Sequence, residues 1–286
     1  MDEHIISVHD RGADQTSLIY PVVSRRSGGL SVGINLFPDR KRCNFDCPYC
    51  EVRPFAGKGE FAAEDLEAQL DGFFLGEYKE AWAPQPVRDL CVSGNGEPTL
   101  SAHLWEALEL CAEARHKHSG SAGSAPIVII TNATGFLDKE IRRCLAAFAR
   151  REPLKIWAKL DAGDQEGFAA MSRSGFDLDA ITVALAEFSR EAPTIVQTML
   201  CRMRGKAPES PEALAYASRV NSMLEAGAVI EAIHLYTLAR APTEPWVGPV
   251  SDENILRFMR IVSETLIQPL PLLGFGESGE RLILQA

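Results

Sequence analysis

The 286-residue sequence lacks long apolar stretches, and none approaches the roughly 18 residues that a membrane-spanning helix needs. Its opening residues, MDEHIISVHDRGADQTSLIY, contain no basic stretch followed by an apolar one, so we predict no secretory signal. Internal repeats and low-complexity tracts are also missing. We therefore expect a cytoplasmic protein with no membrane partner.

Basic residues are in deficit, with 29 Lys and Arg against 39 Asp and Glu and a net charge of −10. This balance argues against a broadly cationic surface for nucleic acid. A local basic group does precede the cysteine-rich stretch described next, and it consists of Arg25, Arg26, Arg40, Lys41 and Arg42. We interpret it either as a solvated loop face or as a small docking patch.

Seven cysteines are present, an odd number that does not favour a disulfide framework. Three of them, Cys43, Cys47 and Cys50, fall within eight positions, and no fourth cysteine lies nearby. The others are scattered through apolar stretches, where we expect small buried side chains. These four are Cys91, Cys111, Cys144 and Cys201.

The number of clustered thiolates limits which metal or metal cluster the site could hold. Structural zinc usually takes four protein ligands, whereas catalytic zinc takes three and a water. A [4Fe–4S] cube has four irons, so three cysteines would leave one iron open to a substrate or cofactor. From the residues alone, a zinc-bound module stays open as an alternative.

Short apolar runs alternate with longer segments of helical periodicity along the chain. The apolar runs are continuous, as in parallel strands buried on both faces. We predict strands over 30–36, 87–93, 127–131, 154–160, 194–200, 229–236 and 271–275, and helices over 64–82, 103–115, 137–151, 178–191, 211–227 and 252–267.

Repeated strand–helix units predict the α/β class, with a mostly parallel sheet that curls into a partial (β/α)6-type barrel. We expect a single domain over residues 1–286, with a core at about 24–275 and short extensions at both ends. In such folds the active site is built at the carboxyl ends of the strands.

The stretch SGNGEPTL (93–100) follows the second predicted strand. Gly94 and Gly96 permit close backbone approach, and Glu97 supplies an acceptor. A simple strand-end turn is the alternative. Asn132 follows the third strand, where a helix N-cap is the alternative.

Polar residues also mark the later strands. Lys159 and Asp161 are two apart and therefore share a face, where a buried ion pair is the alternative to a binding role. Gln197 lies in the fifth strand, and His234 and Tyr236 lie in the sixth. A hydrogen-bonded core histidine is the alternative for His234.

The pattern Cys-x3-Cys-x2-Cys in CNFDCPYC, with Tyr49 before the last cysteine, resembles the signature of the radical S-adenosylmethionine superfamily. The resemblance implies that Cys43, Cys47 and Cys50 hold one [4Fe–4S] cluster, whose open iron binds the methionine part of S-adenosylmethionine. Likewise GNGE (94–97) resembles the superfamily's Gly-Gly-Glu motif, with Asn95 between the glycines. The cofactor-binding residues so implied are Tyr49, Gly94, Asn95, Gly96, Glu97, Asn132, Lys159, Asp161, Gln197 and His234; no catalytic residue is assigned.

Several stretches together are similar to iron–sulfur oxidoreductases related to wyosine-base synthases: SRRSGGLSVGINLFP, CNFDCPYC, SGNGEPTL, ITNAT, KLDAG and LYTLARAPTEP. The sequence departs from wyosine-base synthases, which have additional upstream cysteines for a second cluster, because no cysteine precedes Cys43. It also departs from radical maturases with auxiliary clusters, which have a cysteine-rich C-terminus, because no cysteine follows Cys201. We therefore expect a single cluster and do not carry over the wyosine reaction.

The resemblance implies reductive cleavage of S-adenosylmethionine to a 5′-deoxyadenosyl radical, which abstracts hydrogen from a substrate. A flavodoxin or ferredoxin is the implied electron donor, and the basic group before Cys43 is its expected docking site. A small-molecule or peptide substrate is favoured, because no basic domain is evident. The alternatives are a transfer-RNA-modifying enzyme of the superfamily, a glycyl-radical-enzyme activase, and a non-catalytic electron-transfer or metal-sensing protein.

Overall fold

The computed structural model describes residues 17–57 and 59–284. Residues 1–16, which supply most of the stretch on which the absence of a secretory signal is predicted, lie outside this part. The chain forms two compact units whose segments alternate along the sequence. Unit 1 contains the described residues up to Cys43, Pro54–Ile130 and Arg150–Lys155; unit 2 contains Asn44–Arg53, Thr131–Ala149 and the chain from Ile156 onward. The prediction of a single domain stays a prediction.

Four strands run through unit 1: β1 (Ile19–Ser24), β2 (Gly29–Asn35), β3 (Val87–Ser93) and β4 (Ile127–Thr131, whose last residue belongs to unit 2). They are hydrogen-bonded in the order β1-β2-β3-β4. The first pair is antiparallel, and β2, β3 and β4 are parallel. Six of the seven β2 residues are buried, which explains its continuous apolar run.

The helices of unit 1 are α1 (Ala63–Gly72), a π-helix (Phe73–Trp82), a 3₁₀-helix (Pro98–Leu100), α2 (Leu104–Lys117) and α3 (Ser119–Ala122). The single helix predicted over 64–82 is therefore an α-helix that continues as a π-helix. Phe73, Phe74 and Tyr78 supply the buried side chains of this continuation.

Unit 2 contains most of β5 (Leu154–Lys159), whose first two residues belong to unit 1, followed by β6 (Thr194–Met199), β7 (Cys201–Met203), β8 (Ile230–Tyr236), β9 (Val247–Pro249), β10 (Leu272–Phe275) and β11 (Arg281–Leu282). One sheet has the order β5-β6-β8-β10-β11, and β7 pairs separately with β9. Strands β5, β6, β8 and β10 are parallel neighbours, while β10–β11 and β7–β9 are antiparallel.

The helices of unit 2 are α4 (Lys139–Ala149), α5 (Gln165–Ser172), α6 (Leu178–Phe188), α7 (Ser210–Glu225) and α8 (Asp252–Thr265), with a 3₁₀-helix at Thr134–Leu137. Side chains cap several of them: Asp164 accepts from the Gly167 amide, Asp177 from the Asp179 amide and Ser251 from the Asn254 amide. These caps satisfy backbone donors that a helix start leaves unpaired.

The predicted α/β class with mostly parallel strands is confirmed, and each predicted strand is present within two residues of its expected ends. Strands β1, β7, β9 and β11, helices α3 and α5 and the two 3₁₀-helices were not predicted. Nowhere in residues 17–57 and 59–284 is a helix both long enough and apolar enough to cross a bilayer.

Candidate functional site

In unit 1, the GNGE loop is hydrogen-bonded to the residue that precedes the first clustered cysteine. The Arg42 amide donates to the Asn95 carbonyl at 2.9 Å, and the Glu97 amide donates to the Arg42 carbonyl at 2.8 Å. A Cβ atom on Gly96 would lie 1.7 Å from the Arg42 carbonyl oxygen. Glycine is therefore required at position 96 for this backbone-to-backbone approach.

Asn35, at the carboxyl end of β2, organises the other side of the same loop. Its side-chain oxygen accepts from the Phe37 amide at 3.1 Å and from the Asn95 amide at 3.2 Å. The buried Asn95 side chain in turn donates to the Phe37 carbonyl at 3.0 Å. Gly94 has φ +117°, and a Cβ there would lie 2.9 Å from the Asn35 oxygen. Asn35 was not predicted as a site residue.

Glu97 is 2% exposed, and its carboxylate has partners within its own turn. It accepts from the Thr99 amide at 3.1 Å and from the Thr99 hydroxyl at 2.7 Å, which caps the 3₁₀-helix Pro98–Leu100. The strand-end-turn interpretation and the binding interpretation of this residue are compatible, because a carboxylate has about four acceptor positions.

In unit 2, Asn132 holds the residue that follows Cys43. Its side-chain oxygen accepts from the Thr134 amide at 3.0 Å and the Thr134 hydroxyl at 2.7 Å. Its side-chain nitrogen donates to the Asn44 side-chain oxygen at 2.6 Å, and the Asn44 nitrogen donates to the Thr134 hydroxyl at 2.8 Å. The Asn132 side chain therefore both stabilises a local turn and anchors the cysteine segment. Asn44 was not predicted as a site residue.

The remainder of the cysteine segment is also held by main-chain bonds within unit 2. Its three anchors are the Asp46 amide to the Ser172 carbonyl (2.9 Å), the Thr243 amide to the Cys50 carbonyl (2.8 Å) and the Glu244 amide to the Pro48 carbonyl (3.3 Å). An ion pair between Arg240 and Glu51 adds a side-chain contact. The loop therefore has a defined path although it contains neither helix nor strand.

Lys159 lies at the centre of a nearly buried polar cluster in unit 2. Its ammonium is 3.0 Å from an Asp161 oxygen and donates to the Tyr236 hydroxyl at 2.5 Å. The same nitrogen lies 4.9 Å from the ring centre of Tyr49 and 4.8 Å from that of Tyr236. The Tyr49 hydroxyl donates to Asp161, and Asp161 also accepts from the Met199 amide at 2.7 Å.

The pKa values in this cluster keep Lys159 charged and Tyr49 neutral at physiological pH. Burial alone would lower the pKa of Lys159, but the Asp161 carboxylate and the Tyr236 hydroxyl raise it above its usual value. Burial raises the pKa of Tyr49, and the neighbouring Asp161 charge raises it further. Asp161 thus binds an ammonium and a phenol together.

Gln197 and His234 form a buried pair beside this cluster. The Gln197 amide nitrogen donates to Nδ1 of His234 at 2.9 Å, so this ring nitrogen is the acceptor. Lys159 and Gln197 are register partners in β5 and β6, as are Gln197 and His234 in β6 and β8. The His234 ring also packs edge-on against Trp157 and Phe275. Three of the predicted site residues therefore lie in one row across the strands of unit 2.

The three clustered cysteines differ in exposure from most of the others. Cys43, Cys47 and Cys50 form no disulfide and are partly exposed, whereas Cys91, Cys111 and Cys201 are buried as expected. Cys144 departs from the expectation and is partly exposed, because it lies on α4 with its thiol toward Glu140. Cysteine thiolates that form no disulfide are the donors that an iron–sulfur cluster requires.

Within the described residues, no three side chains of His, Cys, Asp or Glu converge on a point where they could hold one metal ion. Three cysteines are one donor short of the four protein ligands that structural zinc usually takes, whereas they match a [4Fe–4S] cube with one iron left open.

Comparison with family models gives no match. A UPF0026 protein of Helicobacter pylori is 29% identical over 173 residues, which are 59% of this chain and 51% of the relative. A UPF0026 protein of Methanocaldococcus jannaschii is 25% identical over 270 residues, 91% of this chain and 75% of the relative. The chain thus spans about half the length of the Helicobacter relative that it matches.

Among solved structures, a radical SAM methyltransferase from Sphaerobacter thermophilus superposes with a TM-score of 0.61 at 17% identity. The match covers 86% of this chain and 65% of that one. The two chains share a fold. The narrower resemblance to the group related to wyosine-base synthases stays a prediction.

Proposed function

We propose that this protein is a radical S-adenosylmethionine enzyme whose Cys43, Cys47 and Cys50 hold a [4Fe–4S] cluster. The observation that carries the proposal is the anchoring of the cysteine loop on both sides of Cys43. Arg42 is bonded to the GNGE loop, and Asn44 is bonded to Asn132. A fold shared with a radical SAM methyltransferase supports it.

When bound, the cluster and S-adenosylmethionine supply a reductively generated 5′-deoxyadenosyl radical that takes a hydrogen atom from the substrate. The residues of the chain itself bind and orient the cofactor and the substrate, and they exclude water from the site. We assign the GNGE loop and Asn132 to cofactor binding, together with the row Lys159, Gln197 and His234. Asp161 and Tyr49 position Lys159 through the contacts described above.

A low-potential electron must come from outside, and a flavodoxin or ferredoxin is the proposed donor. We propose a cytoplasmic location, where such donors and free thiols persist. A small molecule or peptide is the proposed substrate class, in keeping with the net charge of −10.

The proposal is tested on anaerobically reconstituted protein. Iron and sulfide should each reach about four per chain, as a [4Fe–4S] cube requires. Incubation with dithionite and S-adenosylmethionine should then yield 5′-deoxyadenosine, measured by liquid chromatography. Cys47→Ala should lose both cluster and product, whereas the control Cys144→Ala, which alters another partly exposed thiol, should retain both.

Two results would overturn the assignment. An intact cluster that yields no 5′-deoxyadenosine would indicate a non-catalytic electron-transfer protein. Zinc in place of iron and sulfide would indicate a structural metal module.

A further inference from the structure

A tight turn in unit 2 presents three basic side chains. Arg204 and Gly205 connect β7 to Lys206, with the Met203 amide donating to the Lys206 carbonyl at 2.8 Å and the Lys206 amide to the Met203 carbonyl at 3.1 Å. Arg202, Arg204 and Lys206 are all exposed. We call residues 202–206 the basic turn.

The basic turn is fixed by its strand partner and by an apolar underside. Alternation along β7 places Cys201 and Met203 on the face that packs against buried Val247. On the other face, the Arg202 guanidinium passes over Gly248, where a Cβ would lie 3.4 Å from it. The Arg204 guanidinium lies over the Trp246 ring at 4.8 Å from its centre.

The charged side chains of the basic turn have no carboxylate partner in the described part of the chain, unlike several other arginines. Within the described part of the chain, no carboxylate lies within ion-pairing distance of Arg202, Arg204 or Lys206, although the protein carries a net charge of −10. By contrast, Arg40 and Arg42 both pair with Asp39, at 2.8 Å and 2.7 Å. The basic group expected before Cys43 to dock an electron donor is therefore partly neutralised.

Arg204 also occupies an unfavourable backbone conformation. Its φ is +51°, and that of Gly205 is +83°, as in a type I′ turn. Asn, Asp or Gly are the usual residues at the first of these positions. The turn itself does not require a long basic side chain at this position, so its geometry gives no structural reason for Arg204.

The basic turn is adjacent to the cysteine loop. Met203 and Trp246 pack against the cluster of buried side chains that contains Tyr49, and Cys47 packs against the same cluster. We propose that the basic turn is the docking site for an acidic one-electron carrier protein. The inference rests on the proposed function, because that function needs an external electron.

The transfer involves one electron and no bond. The carrier is oxidised by one electron, and the proposed cluster is reduced by one. A complementary acidic face on the carrier would steer association toward the side of unit 2 where Cys47 lies.

A protein partner is favoured over RNA by two features. Guanidinium groups of Arg173 and Arg204 already lie over the Trp246 ring, at 5.6 Å and 4.8 Å, so they compete with a base for its faces. Three exposed cations also form a patch that is small compared with the number of phosphate contacts that tight RNA binding requires.

The test measures binding of purified oxidised flavodoxin, and separately ferredoxin, to the reconstituted full chain by anaerobic calorimetry. Arg202→Glu/Lys206→Glu should raise the dissociation constant about tenfold or more at about 20 mM salt, and the difference should shrink at about 300 mM. The matched control is Arg257→Glu/Arg260→Glu, which makes the same charge change at exposed positions of α8 and should bind as the unmodified protein does.

Arg204→Asn adds a second variant that suits the turn and removes one charge. Weaker carrier binding with unchanged or increased thermal stability would support the docking role.

Equal weakening in both charge-reversed proteins would overturn it, as would failure of the unmodified protein to bind either carrier. Salt-sensitive binding of transfer RNA that only the basic-turn variants lose, without carrier binding, would assign the patch to RNA and also overturn it. Dithionite-driven formation of 5′-deoxyadenosine by the unmodified protein tests the proposed function independently of docking.

Discussion

Gly96 and Arg42 approach each other so closely that any side chain on Gly96 would collide with the Arg42 carbonyl, 1.7 Å from the position of a Cβ. The contact is backbone against backbone, so no rotamer change can relieve it. It forms a short parallel bridge between the GNGE loop and the start of the cysteine loop. Glycine is therefore required at this position of the motif for a structural reason that is independent of any ligand.

Gly96→Ala should consequently destabilise the protein by about 1–3 kcal/mol, the usual cost of overpacking. Displacement of Arg42 should also lower the iron content after reconstitution. Urea denaturation and iron assay measure the two effects. Gly76→Ala is the control, because a Cβ at that position would have no atom within 4 Å apart from its chain neighbours and the nearby backbone of its own helix. Equal stability of the two variants would contradict the steric interpretation.

Asn132 links a local turn to Asn44, and two substitutions separate these roles. Asn132→Ala removes all its side-chain bonds and should cost about 1–3 kcal/mol, because buried partners are left unsatisfied. Asn132→Asp keeps the acceptor for Thr134 but loses the donor to Asn44. The buried carboxylate should lower stability at pH 7, and loss of the Asn44 bond should release iron faster under a chelator. Equal iron loss from Asn132→Asp and unmodified protein would show that the Asn44 bond does not hold the loop.

The parallel strands could be predicted from the sequence because they are buried on both faces, as in β6, where every residue is buried. Strand β1 was missed because its residues are only partly buried and it contains Pro21. Strands β7 and β9 have three residues each, too few to show a period. Helix α5 buries only Phe168 and Ser172 and contains Gly167, so its helical pattern is weak.

For the site, strand alternation correctly placed Lys159 and Asp161 on one face, and the structure shows them paired. The partners of the motif residues were not predictable by the same reasoning. Asn35 meets Asn95 across 60 positions of sequence, and Asn44 meets Asn132 across 88. Such contacts depend on strand order and loop path, which no local pattern encodes.

Lys159→Met should destabilise the protein by about 3–5 kcal/mol, because it leaves the Asp161 carboxylate buried without its cation. Lys159→Met/Asp161→Asn should cost less than the sum of the two single changes, since neither charge then remains unpaired. Urea denaturation of all four proteins gives the coupling energy. If Lys159→Met lowered the free energy of unfolding by less than about 1 kcal/mol, the pair would behave like a solvent-exposed salt bridge, which would contradict its burial.

The stability of unit 1 should depend on the ionisation of Asp89. Burial raises the pKa of Asp89, although hydrogen bonds from Ser27 and Ser31 oppose this rise. The folded state therefore holds the proton more tightly than the unfolded chain, whose aspartates titrate at about pH 3.9. The stabilising contribution is complete below that pH and is lost as the pH rises through the folded pKa.

Asp89→Asn removes this titration while its side-chain oxygen can still accept from the Ser31 hydroxyl. The variant should be more stable than the unmodified protein at pH 7, and the difference should diminish toward pH 4. Asp71 provides a control of opposite sign, because hydrogen bonds from Lys117 and His118 lower its pKa. Its contribution is present above the unfolded pKa and lost as the pH falls, so Asp71→Asn should reduce stability at pH 7. Urea denaturation at several pH values measures both variants. If Asp89→Asn were less stable at pH 7, the Asp89 carboxylate would have to be stabilised by its partners more than burial penalises it.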